Sequence, residues 1–347
     1  MDDIADALGA SPEWFPHELA LPADGISFIR LRKVDYERAS FLDARLVAAP
    51  RAKQVLRFDQ IAAAIAAVPL AECRGYIFHI GHVGSTLLSR LVGAHARAFS
   101  LREPMILRTF AQLAAAPEER PRQWGDKPDA RLSICLKLLS RTFEPRQTAV
   151  VKATSFVSEL AAGLVSRISQ PKAVMMYVAP ETYLATILGG PNSRQEARLL
   201  APSRLRRLQR RIGMAGWELT SLSEGEMLAL SWACEMSALA EAVHAGSDRA
   251  LPLNFDQFLG RPAPILMAVL GHFGIDATEE EVRAILGGPD MYRYSKAPEH
   301  AYDADLRHEV LNEARAAHGS EIRRGLLWLD AAAAQFTAVR DALSMSR

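Results

Sequence analysis

The sequence predicts an α/β protein: a mostly parallel sheet flanked by helices on both faces, with helical insertions. Three observations predict it. Short runs rich in apolar and β-branched residues recur at Tyr76–Ile80, Ala98–Arg102, Thr148–Lys152, Ala173–Val178 and Ala250–Asn254. Segments of helical periodicity separate these runs, and strands alternating with helices at such spacing build parallel sheets. The first run ends in the glycine turn Gly81-His82-Val83-Gly84, and Ser85-Thr86 then opens an amphipathic helix carrying Leu87, Leu88, Leu91 and Val92 on its apolar side.

Residues 1–70 read as an N-terminal extension packed on the core, and 71–347 as the main domain. Pro12, Pro16 and Pro22 break the early segment, Ile26–Arg32 reads as a strand, and Val55–Val68 alternates like a helix packed on something larger. Beyond the first glycine turn, Ala98–Arg102 is the second strand and ends at Glu103-Pro104. Helices are expected over roughly 105–116 and 129–142, on either side of a polar, proline-rich loop. The third and fourth strands follow at 148–152 and 173–178, and a long helix covers 227–244. Pro252 in the fifth strand lacks an N–H, which places that strand at an edge or makes it a strand end.

The whole-chain numbers exclude several classes. At 347 residues, 49% hydrophobic and 23% charged, the composition is that of a water-soluble globular protein. A formal net charge of +1 gives no electrostatic footprint for nucleic acid. Cys73, Cys135 and Cys234 lie far apart without metal-ligand spacing, so neither a disulfide framework nor a zinc site is expected. The acidic start Met1-Asp-Asp-Ile lacks the basic region and apolar core of a signal peptide, and no apolar run reaches membrane-spanning length. A cytoplasmic location is expected.

The turn is the main functional signal. Strand, glycine turn, hydroxyl pair and helix start gather free backbone N–H groups and the positive end of a helix dipole around one point, which suits a phosphate-like anion. A nucleoside-triphosphate loop would place a lysine after its last glycine, but no lysine lies between Gly81 and Val92. A dinucleotide fingerprint fails as well, because Gly81 and Gly84 are the turn's only glycines.

The segment resembles the 5′-phosphosulfate loop of sulfotransferases: a basic residue, any residue, Gly, Ser or Thr, then Thr. His82 takes the basic position, Val83 the free one, and Gly84, Ser85 and Thr86 match. The resemblance runs from Gly75 to about Leu329. It implies a P-loop-type scaffold, 3′-phosphoadenosine-5′-phosphosulfate as co-substrate and no metal. Tyr177–Thr186 falls on the family's 3′-phosphate motif, with Pro180 on the motif proline and Thr186 on its serine, whereas Val178 occupies the arginine position. Arg293 and Lys296, in Met291-Tyr-Arg-Tyr-Ser-Lys296, are then the candidates to replace that charge. Leu251–Leu259 and Pro264–Ile275 match packing elements of the family.

The resemblance implies a division of labour. Lys152 matches a lysine that follows the corresponding strand and would stabilise developing charge, and the end of a parallel strand is where open α/β sheets bind ligands. Glu103, at the end of the second strand, is the candidate base. The histidine base of the small-molecule branch would fall at Thr154. His82 is a further candidate catalytic group. Between 190 and 211, seven arginines form either a solvated helix face or a basic lid over an anion. The acceptor is expected to be a small molecule or glycan. Two alternatives stand beside this reading: a nucleotide-dependent phosphotransferase, disfavoured by the missing loop lysine and the lack of a clear magnesium carboxylate, and a degenerate member that binds a nucleotide or protein without catalysis.

Overall fold

The computed structural model describes residues 4, 7–48, 51–121, 124, 128–293 and 303–346. Three strands form an antiparallel sheet: β1 (Trp14–Ala20), β2 (Gly25–Arg30) and β3 (Lys53–Arg57), in the order β1-β2-β3. Five more form a parallel sheet: β4 (Gly75–His79), β5 (Ala98–Arg102), β6 (Thr148–Lys152), β7 (Lys172–Tyr177) and β8 (Ala250–Asn254).

The order of the parallel sheet is β5-β6-β4-β7-β8. The chain leaves β4 for one edge, returns through β6, crosses β4 to β7 and ends on the other edge. The winding therefore reverses around β4, and the crevice beyond its C-terminal end is where such sheets take ligands. Every residue of β4 and β5 is buried, and so are all but the first residues of β6 and β7. Burial at consecutive positions of a strand means that both faces are covered. Strand β8 is an edge, which accommodates the missing N–H of Pro252 opposite Met175.

The expected strands and most helices fall where periodicity put them, including Met105–Ala115, Pro128–Leu139 and Glu224–Gly246. The stretch from Val55 differs. Its first residues belong to β3, which pairs with β2, and the helix covers only Phe58–Ile65. Alternation over so few residues fits either period, and pairing with β2 decides it.

The antiparallel sheet packs through β1 on the helices Met105–Ala115 and Pro128–Leu139. Two buried arginines fasten this region by donating to carbonyls. Arg141 donates to Leu8, Ser11 and Trp14, and Arg102 to Tyr36, Glu37 and Ala39. Burial pushes both guanidinium pKa values down to about 10. Leu42 also bridges to the parallel sheet, its N–H donating to the Arg102 carbonyl at 2.6 Å.

At the other end, the long helix Ala304–Gln335 packs on Pro180–Leu188 and Glu224–Gly246. Contact is closest at Gly225, where a Cβ would lie 1.9 Å from the Glu321 carbonyl oxygen, so only glycine permits this approach.

Candidate active site

The loop after β4 is held open from several sides. Gly81 (φ +87°), His82 (φ +55°) and Gly84 (φ +66°) all have positive φ, which bends the chain into a tight turn between the strand and the helix. The Gly81 N–H donates to Nδ1 of the buried His79 at 3.0 Å. Val83 is buried, so it serves the loop through its backbone while its side chain anchors in the core. Ser85 and Thr86 open the helix Ser85–Gly93 and are themselves buried. Gly84 is doubly constrained, because a Cβ there would sit 2.1 Å from the Phe255 ring.

Lys152 ends β6, between β4 and β5. The parallel register sets Lys152 beside Arg102 and Ile77, so Glu103, the next residue after Arg102, falls against it. Lys152 Nζ donates to Thr86 Oγ1 at 3.3 Å and forms an ion pair with Glu103. The lysine side chain is 1% exposed and the glutamate 14%. Glu103 takes a left-handed φ of +55°, and its N–H donates to the Lys152 carbonyl at 2.6 Å. The two residues given separate roles from the sequence are thus one coupled pair, linked through Thr86 to the loop.

The other candidates divide. His82 lies 3.7 Å (Nε2) from Glu196 Oε2 on the helix Pro191–Ile212, at the loop's rim. Thr186 lines the same cavity while its hydroxyl donates to the Thr182 carbonyl at 2.7 Å. Arg293 lines the cavity and is exposed, whereas Lys296 lies outside the described residues. Val178 is fully buried and does not line the cavity; its carbonyl accepts from Trp232 Nε1 at 3.2 Å.

A cavity of about 1170 Å³ connects these groups. Part of its wall was not anticipated. Phe41 and Arg45 enter from the N-terminal region, with the Arg45 guanidinium 3.6 Å from the centre of the Phe41 ring and Lys152 Nζ 5.5 Å from it. Phe255 and Leu259, expected only to pack, also line the cavity, as do Pro262 and, from the helix Ala304–Gln335, Arg307.

The arginine-rich segment is partly fixed by ion pairs and partly solvated, with Arg198, Arg206 and Arg210 exposed. It is the helix Pro191–Ile212, fastened by ion pairs to the helix Glu224–Gly246. Arg194 and Arg198 meet Glu224, and Arg204 and Arg207 meet the buried Glu235. Composition alone hid this, because the partners lie some thirty residues downstream. Its cavity-facing stripe, Glu196, Leu199, Leu200, Ser203, Arg204 and Arg207, follows helical spacing and was the signal available in the sequence.

No family model matches this chain, and no curated protein matches it. Solved structures do. The chain is similar in structure to sulfotransferase domains. The sulfotransferase domain from the curacin biosynthetic pathway is 14% identical with a TM-score of 0.38, over 75% of this chain and 98% of that one. The sulfotransferase domain from the Synechococcus olefin synthase is 12% identical with a TM-score of 0.40, over 74% and 94%. A sulfotransferase from Mycobacterium avium is 12% identical with a TM-score of 0.39, over 75% and 80%. At such scores the likeness carries no functional inference, and the fold rests on the strand order and the loop described above. No described helix is long and apolar enough to cross a membrane.

Proposed function

We propose that the chain transfers a sulfuryl group from 3′-phosphoadenosine-5′-phosphosulfate to a hydroxyl or amine of a small-molecule or glycan acceptor. One observation carries this reading: the glycine turn Gly81–Gly84, with Ser85 and Thr86, is joined through Thr86 to buried Lys152 and its partner Glu103 at the C-terminal edge of the sheet. An anion cradle without a loop lysine, coupled to a buried lysine from the neighbouring strand, suits a phosphosulfate better than a nucleoside triphosphate.

The residues fit the co-substrate at its reacting end. The amides of Gly84, Ser85 and Thr86 would hold the 5′-phosphate and sulfuryl oxygens. Of the candidates for the 3′-phosphate, Arg293 lines the cavity and would supply charge in place of the buried Val178, whereas the Thr186 hydroxyl would first have to leave the Thr182 carbonyl. When bound, the co-substrate supplies an activated sulfuryl group whose leaving group is a phosphate. In the transfer, the acceptor oxygen or nitrogen forms a bond to sulfur, the bond from sulfur to the phosphate oxygen breaks, and the acceptor's proton goes to a base. Glu103 is placed to take that proton. Lys152, between Glu103 and Thr86, would orient the carboxylate and offer positive charge to the departing oxygen. His82, at the rim, adds a hydrogen-bond donor to the loop.

Thermal shift with adenosine 3′,5′-bisphosphate against ATP plus magnesium tests the donor assignment. Stabilisation by the bisphosphate alone is expected, and stabilisation by ATP with magnesium alone would replace this reading with phosphotransfer. The buried Val178 favours a second reading, a binding protein without transfer activity. Glu103→Gln separates the two: a transferase should keep its bisphosphate affinity and lose turnover by roughly 10²–10⁴-fold.

A further inference from the structure

The far wall of the cavity holds a chain of buried charges that the proposed transfer step does not use. Arg204 Nε donates to Glu235 Oε1 at 3.1 Å, and Arg207 Nη2 lies 2.8 Å from Glu235 Oε2. Arg207 Nε donates to Glu159 Oε1 at 2.9 Å, and Arg211 Nη2 reaches Glu159 Oε2 at 2.5 Å. Arg204, Arg207 and Glu235 are 6%, 2% and 1% exposed. Three guanidinium groups therefore share two inner carboxylates. The remaining partner, Glu241, is 61% exposed and 3.4 Å from Arg211, too solvated to neutralise the interior.

Two of the guanidinium groups, Arg204 and Arg207, and one carboxylate, Glu235, face the cavity, whereas Glu159 and Arg211 stand behind. Buried charge without a counter-charge is costly, and an anion arriving from the cavity would balance it. Two neighbouring features mark the place. Thr154 Oγ1 is buried, lines the cavity and has no hydrogen-bond partner among the described residues. Phe156, two residues on, lies under the Arg207 guanidinium at 4.8 Å. Thr154 lies two residues past the end of the strand that carries Lys152. Arg108, an exposed cation of the cavity wall, belongs to the helix Met105–Ala115, which packs on the same turn, Ser155–Leu160.

We propose that the acceptor carries an acidic group, and that Arg204, on the cavity wall formed by the helix Pro191–Ile212, receives that group. The inference rests on the transferase reading and names the acceptor's class: a hydroxyl or amine compound bearing a carboxylate or a phosphate. Arg204 acts as a specificity residue, holding the acid while the nucleophile faces Glu103 and the loop. Both acids offer paired oxygens to a guanidinium fork.

The test is calorimetric and uses the full chain, with and without saturating adenosine 3′,5′-bisphosphate. The probes are 4-hydroxyphenylacetate, its neutral amide, and (4-hydroxybenzyl)phosphonate. The wild type should bind at least one acid about ten-fold or more tightly than the amide, with the nucleotide in place. The stronger of the two acids tells carboxylate from phosphate. Arg204→Met should bring the ratio close to one, and Arg204→Lys should keep part of it. Equal binding of acid and amide by the wild type, including no binding of either, overturns the proposal, and so does an unchanged ratio in Arg204→Met. Competition between the acid and the bisphosphate also overturns it, because the acid would then sit in the loop. The wild-type ratio needs no variant to fold. Bisphosphate binding is read separately, so failure of the donor assignment is distinguishable from failure of the acidic-acceptor assignment.

Discussion

Lys152→Met removes the cation from the centre of the site and keeps most of its volume. The lysine side chain is 1% exposed, and its partner Glu103 is 14% exposed. Removing one member of a buried pair costs about 3–5 kcal/mol, because the other charge is left uncompensated. The partial exposure of Glu103 returns some hydration, which puts the expected loss near the lower end, about 3 kcal/mol. That corresponds to a Tm lower by roughly 6 °C at about 2 °C per kcal/mol. The double variant Lys152→Met, Glu103→Met removes both charges, and an apolar pair of similar volume is often neutral relative to the ion pair. It should return to within about 1 kcal/mol of the wild type, since the left-handed backbone at Glu103 is strained with either side chain. Denaturant unfolding of the wild type, Lys152→Met, Glu103→Met and the double variant gives the cycle directly. Calorimetry on the double variant against Glu103→Met then isolates the lysine's part in binding. Losing a hydrogen bond to a charged group should weaken adenosine 3′,5′-bisphosphate about ten-fold or more. A single variant within about 1 kcal/mol of the wild type, or a double variant no more stable than the single, would refute the uncompensated-charge account.

Two further outcomes follow from particular contacts. Gly81→Ala meets only a left-handed φ, with Ser155 a comfortable 3.9 Å from the new Cβ, and should cost about 1–2 kcal/mol. Gly84→Ala adds a 2.1 Å encounter with the Phe255 ring, should cost about 1–3 kcal/mol more, and should lose bisphosphate affinity as the loop shifts; thermal melts of the pair check the ranking. Hydrogen bonds from Arg131, together with its charge and a hydrogen bond from the Trp124 indole, hold the Asp24 carboxyl below its ordinary value against a smaller opposing effect of burial. A depressed carboxyl adds stability above the unfolded value, near pH 4, and loses it as pH falls through the folded value. Asp24→Asn should therefore lower stability at neutral pH and flatten the acid limb below about pH 4, measured as Tm against pH. A parallel offset at every pH would count against this role for Asp24.

Much was legible in the sequence because its cause is local. The strands 98–102, 148–152 and 250–254 are visible as apolar runs, and the turn Gly81–Gly84 as two glycines before a hydroxyl pair. The left-handed backbone of the turn follows from its glycines, although His82 shares that conformation without being one. Pro252 announced an edge strand through its missing N–H, and β8 is an edge.

The tertiary structure decided whatever depends on residues meeting from distant parts of the chain. Nothing local to Lys152 or Glu103 shows that they pair; the register of β5 against β6 brings them together. The arginines of 194–211 look like a solvated run until Glu159, Glu224 and Glu235 arrive from other elements and fix several of them as a wall of the cavity. Phe41 and Arg45 enter the site only because Arg102 and Leu42 tie the N-terminal region to the sheet edge. Periodicity and turn chemistry act over a few residues and are written in the sequence. Charge pairing and cavity shape are set by the packing of whole elements, and that appears only once the chain is folded.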